Sequence, residues 1–206
     1  MGMRRIFAVI AVVMASMCAM AQSPQDVMRQ VAAKINGSSG LSGNFKVTYP
    51  GNSVNGSFKI SGRKSQIDIA GMGRQWYDGR TLWNANPRTR EVTVVIPAAD
   101  ELAEANPLAY LDNYASRYNI YFSSRKDASR YLVLLNPKRA GNMDVKAIEV
   151  AVNKKTMLPD RLVIRMNNDS RSSVTFTRVA TGRKFSADEF VFPAAAYKDY
   201  ETVDLR

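Results

Sequence analysis

The chain has 206 residues, of which 46% are hydrophobic and 23% charged, with a formal charge of +11, one cysteine and no histidine. This is the composition of a folded globular domain rather than of a disordered chain. It excludes Ser-His and Cys-His nucleophiles, HExxH zinc helices and thiolate metal clusters, so binding is favoured over catalysis.

Residues 1–21 read as a secretory leader. Arg4 and Arg5 supply the positive start, Ile6 to Met17 the apolar run, and Ala19-Met20-Ala21 the small-residue cleavage pattern, which predicts cleavage before Gln22 and export. The stretch is too short for a comfortable membrane span. Lipidation of Cys18 is the alternative, although Met17 before it suits lipoprotein processing poorly. Without Arg4 and Arg5 the formal charge of +11 falls to +9. Export argues against a nucleic-acid partner, and the bases are scattered rather than blocked. Most therefore read as solvated strand faces, with a weak attraction to phospholipid headgroups as their functional use. Removal of Cys18 leaves no disulfide framework, so residues 22–206 must form one domain held by its core.

In that domain Ser23-Pro24-Gln25-Asp26 forms a helix start, with Ser23 as cap and Pro24 at the first position. Val27, Val31 and Ile35 repeat at fourfold spacing until Asn36-Gly37 supplies a stop. From Gly43 the period becomes two. Phe45, Val47 and Tyr49, then Val54, Phe58 and Ile60, predict a hairpin around Pro50-Gly51-Asn52. Further strands are expected at 65–70, 74–77, 81–84, 91–96, 118–122, 131–135, 146–152, 161–166 and 173–179. Turn formers such as Asp78-Gly79, Asn86-Pro87 and Asn136-Pro137 separate them as an antiparallel meander. Pro97 to Arg117 interrupts the strands with two short helices. The expected fold is mainly β with an α lid: a strongly curved antiparallel sheet of about ten strands capped by short helices.

Candidates for chemistry are few. Ser61-Lys64 and Ser123-Lys126 have S-x-x-K spacing but lie at strand ends or turns. Asp100 and Glu104 stand one helical turn apart, where they also complement a helix N-terminus. Gly71-Met72-Gly73 lacks the rest of a phosphate loop. No cofactor or metal site is expected.

The run Gln75-Trp76-Tyr77-Asp78-Gly79-Arg80-Thr81-Leu82-Trp83-Asn84-Ala85-Asn86-Pro87-Arg88-Thr89-Arg90-Glu91-Val92 resembles the central hairpin of LolA-type periplasmic lipoprotein carriers. The likeness continues through Gly56-Ser57-Phe58-Lys59-Ile60, Asn106-Pro107-Leu108, Lys155-Thr156-Met157-Leu158-Pro159, and the Phe190-Val191-Phe192-Pro193 and Glu201-Thr202-Val203-Asp204-Leu205 close. It implies an incomplete antiparallel barrel capped by helices, and a non-enzymatic carrier that shields lipoprotein acyl chains on their way to the outer membrane. Its partners would be acylated lipoproteins or another amphiphile, an inner-membrane release machinery and an outer-membrane acceptor, and it would work as a monomer without cofactor.

On that reading Phe58, Ile60, Ile67, Ile69, Leu82, Trp83, Val92, Val94, Val174 and Phe176 line the cavity, and Leu108 and Leu111 belong to the lid. The family's basic residue followed by proline is replaced here by Ser61-Gly62-Arg63-Lys64, which leaves Arg63 as the candidate latch, or else a solvated turn residue. Two alternatives stay open: a sensory domain binding lipoproteins or another amphiphile on the same scaffold, and a carboxylate-dependent hydrolase using Asp100 and Glu104.

Overall fold

The computed structural model describes residues 22–98, 102, 108, 111, 113–138 and 145–206. The predicted leader, Asp100, Glu104 and much of the helical interruption fall outside them. The chain enters through helix α1 (Pro24–Asn36), whose start is fixed by a reciprocal cap. The Asp26 N–H donates to Ser23 Oγ at 3.1 Å, and the Ser23 N–H donates to the Asp26 carboxylate at 3.3 Å. The helix stops at Asn36 as expected, but not by a left-handed glycine: Gly37 has φ −80° and donates to Ala33 O at 2.9 Å.

The strands are β1 (Leu41–Tyr49), β2 (Asn52–Ser61), β3 (Lys64–Ile69), β4 (Gly73–Tyr77), β5 (Leu82–Asn86) and β6 (Glu91–Val95). After helix α2 (Tyr114–Arg117) come β7 (Tyr118–Phe122), β8 (Arg130–Pro137), β9 (Val145–Asn153), β10 (Pro159–Met166), β11 (Arg171–Thr181) and β12 (Glu201–Asp204). They form one 12-stranded sheet in the order β12-β6-β5-β4-β3-β2-β1-β11-β10-β9-β8-β7. The fold is mainly β with few short helices, and the sheet is an incomplete barrel that does not close.

The single antiparallel meander expected from the sequence needs two corrections. Strands β1–β6 and β7–β11 are separate meanders, joined where β1 pairs with β11. Strand β12 pairs parallel to β6. Alternation identifies a strand but not its neighbour, and the connection from Gly182 to Tyr200 is long enough for the crossing that parallel pairing requires.

Local chemistry explains the corners. In the β1–β2 hairpin Pro50 holds the first turn position and Gly51, at φ +78°, takes the left-handed second one. The register of β1 against β11 slips between Ser42 and Asn44, where β11 carries one residue more and Arg178 adopts φ 53°. Such a bulge bends its strand and increases the local twist, which curls the sheet at the junction of its two meanders.

Candidate functional site

Pairing register assigns every strand residue to a face, because directly opposed residues project to the same side. One row of the inner face reads Gly43-Phe58-Ile67-Gln75-Asn84-Thr93 across β1 to β6. Another reads Val54-Val47-Val174-Leu162-Val150-Val133 from β2 across β1 to β8. Phe58, Ile67, Val174 and Phe176 from the predicted lining are buried in a single cluster on this face, and Ile60 and Ile69 pack against it half-buried. The rings of Phe58 and Phe176 meet edge to face, 6.1 Å between centroids. Leu82 is half-buried and shares a row with Tyr77 and Val95.

Helix α1 contributes Val27, Met28 and Val31 to the same cluster, and Leu108 and Leu111, the two predicted lid residues, are each 5% exposed within it. A shallow notch of about 220 Å³, counting the part open to solvent, runs along the seam between α1 and this covering. It is lined by Met28, Val31, Ala32, Ile35, Asn36, Leu111 and Tyr114. Among the described residues, the one hydrogen bond between an α1 side chain and the sheet runs from Gln25 Nε2 to Ile120 O, at 3.3 Å.

The structure separates three residues from the set with which the sequence grouped them. Trp83 opposes Trp76 and Val94, and Val92 opposes Ala85, so Trp83, Val92 and Val94 occupy the outer face, the side of the sheet away from Phe58 and Ile67. All three belong to a second cluster with Trp76 and Ala85, covered by Phe192, Tyr197 and Tyr200. The hydrophobic runs through β4 to β6 bury residues on both faces, so period two cannot say which set faces inward.

The covering segment is what sequence reasoning missed. Trp76, 1% exposed, meets Phe192 and Tyr197 edge to face, each at 5.5 Å, and Tyr200 closes on Tyr197 at 4.9 Å. Burial pushes the Tyr197 hydroxyl above its ordinary pKa. Lys59 Nζ donates to the Glu189 carboxylate at 2.7 Å and Gln66 Nε2 to Glu189 O at 3.1 Å, fastening the segment to outer residues of β2 and β3. The hydrogen bond from Lys59 and that from the Ser186 N–H hold Glu189 below the usual carboxylate range. Beyond it, Arg206 lowers Asp204 to about 2. The dense aromatics from Phe185 to Tyr200 were the available signal.

Among the described residues, neither S-x-x-K pair joins its hydroxyl to its amine. Ser61 and Lys64 are cross-strand partners, yet Ser61 Oγ donates to Ser39 O at 3.0 Å. Ser123 Oγ donates to Glu149 at 2.9 Å. Arg63 is exposed in the turn after β2 and makes no ion pair or hydrogen bond to a covering element among the described residues. A latch needs the guanidinium aimed across the inner face, whereas Gly62 at φ +57° begins a reversal at the sheet's end. Among the described residues no three acidic side chains converge as metal ligands.

An uncharacterized conserved protein from Thermus thermophilus superposes with a TM-score of 0.61 at 9% identity, over 87% of this chain and 98% of that one. A LolA superfamily protein from Nitrosomonas europaea superposes with a TM-score of 0.43 at 10% identity, over 82% and 98%. MucB in the Pseudomonas aeruginosa MucA/MucB complex gives 0.44 at 13% identity over 83% of this chain, which spans 61% of that one. No curated protein matches by sequence. The sequence profile of the family described as outer membrane lipoprotein carrier protein LolA matches residues 77–193, and the chain therefore belongs to the LolA family.

Proposed function

We propose that residues 22–206 form a single periplasmic domain, exported by the 1–21 leader, that carries lipoproteins to the outer membrane by shielding their acyl chains. The observation that supports it most is the way α1 is seated: it buries Val27, Met28 and Val31 on an open sheet, and among the described residues one side-chain hydrogen bond ties it to a strand. Apolar contact is non-directional, so an acyl chain can take the place of α1 side chains against the inner face without stranding a polar group. Each methylene so buried is worth about 0.8 kcal/mol, which makes a multiply acylated chain insoluble alone and manageable when sheltered. On this reading cargo enters as α1 lifts from the sheet.

Carriage of this kind needs no covalent step, cofactor or nucleophile. It needs a donor complex at the inner membrane and an acceptor at the outer one, and a monomer suffices for both exchanges. The test is to mix the purified mature chain with a triacylated lipoprotein in detergent-free buffer and follow the lipoprotein in the soluble fraction and its transfer to outer-membrane vesicles. Soluble 1:1 complexes are expected. Aggregation at the rate seen without the chain would end the proposal.

A further inference from the structure

The inner face is not uniformly apolar. Across β1 to β3 the row through Phe58 and Ile67 is hydrocarbon, but on β4 to β6 it continues as Gln75, Asn84 and Thr93. Phe58 and Ile67 are 4% and 2% exposed, whereas Asn84 is open to solvent. Gln75 sits at the boundary. The residue is half-buried, and its Oε1 is shut off from water without a hydrogen-bond partner.

An enclosed amide oxygen without a donor is costly, because it has given up its hydration and received nothing in return. A leucine at position 75 would continue the Ile67 row and avoid that cost. The chain instead keeps a side chain left unsatisfied by its own groups, at the point where the row through Phe58 and Ile67 changes from apolar to polar.

We propose that Gln75 is the polar anchor of the amphiphile site: its Oε1 accepts a hydrogen bond from an amide N–H or hydroxyl at the head of the ligand, while the hydrocarbon lies along Phe58 and Ile67. This rests on the proposed shielding of acyl chains and adds to it a selection by head group. A ligand that carries a donor next to its chain satisfies the oxygen. One that presents only acceptors there leaves it unpaired and adds a second lone pair facing it. Asn84 and Thr93, farther along the row, extend the polar strip toward the open side, where a head group larger than one amide would continue.

The experiment compares two ligands of equal chain length, dodecanamide and methyl dodecanoate, by displacement of a fluorescent fatty probe from the full mature chain and from Gln75→Leu. The wild type is expected to bind the amide about three- to tenfold more tightly, the range of one net hydrogen bond. In Gln75→Leu the difference should vanish while the ester is held at least as well, and the variant should melt no lower than wild type. Equal binding of amide and ester by the wild type overturns the anchor but leaves the shielding proposal intact, and this arm does not depend on whether the variant folds. A preference that survives in Gln75→Leu also overturns it, by placing the anchor elsewhere. Failure of both ligands to displace the probe overturns the shielding proposal itself, and the anchor with it.

Discussion

Phe45 on β1 lies directly across from Gly56 on β2, and its ring fills the space that a side chain at 56 would need. A Cβ on Gly56 would stand 2.3 Å from the Phe45 ring and 2.5 Å from Asp68 O. Two residues along, the exchange is reciprocal. Phe58 opposes Gly43, where a Cβ would meet the ring at 2.9 Å. The aromatic of each strand lies over the glycine of the other, so the two hairpin strands pack their largest inner side chains without crowding.

Gly56→Ala should therefore destabilise the fold by about 1–3 kcal/mol, the usual range for overpacking, since one of the two obstacles is backbone and cannot rotate away. Gly43→Ala should cost less, its nearest obstacle being the far edge of a ring. Urea denaturation of both variants checks the order, and a Gly56→Ala midpoint equal to wild type would show that the ring has room to leave.

The division of the predicted lining between two faces separates stability from ligand protection. Trp83→Ala removes part of the outer cluster, and should lower stability by no more than about 3 kcal/mol while leaving lipoprotein solubility unchanged. Ile69→Asn places an amide on the inner face and should reduce protection at unchanged Trp emission. Loss of protection in a folded Trp83→Ala protein would mean that the outer face takes part in binding.

Acid should loosen the C-terminal segment before the rest of the protein. The folded chain holds Glu189 below its ordinary value of 4.5, chiefly through Lys59. Its contribution is thus fully present above about pH 4.5 and is lost as pH falls through the lowered folded value. Near-UV circular dichroism of the Trp76 cluster should change in that range, ahead of the far-UV signal. Glu189→Gln should remove this separate step, and its persistence in that variant would assign the transition to another carboxylate.

On the outer face Arg165 and Arg171 stand directly opposite each other across β10 and β11, both exposed. Like charges so placed repel. Arg171→Glu should raise stability by about 0.2–1 kcal/mol, with the gain shrinking in high salt. A thermal melt at two ionic strengths measures it; lower stability at both would show that the arginine stems contribute more by packing than their charges cost.

Much of this architecture was legible in the residues. Ser23, Pro24 and Asp26 determine where α1 begins, because a cap is made by neighbours in sequence. The alternation from Phe45 to Ile60 and the Pro50-Gly51 corner determine the first hairpin for the same reason. The motifs around Asp78-Gly79 and Leu82-Trp83 carried the family, later matched over residues 77–193. The absence of histidine had already narrowed the chemistry.

Tertiary structure decided what depends on partners far away in the chain. Period two puts Ile67 and Gln75 in strands but does not say that they share a row, nor that Trp83 turns its back on them; register, set by pairing, does that. The parallel docking of β12 on β6 and the aromatic cover over Trp76 follow from a segment crossing the outer face; its aromatics show in the sequence, but nothing local says which face they cover. That the Gln75 oxygen is sealed away is likewise set by the packing around it, because burial is a property of the neighbours rather than of the residue.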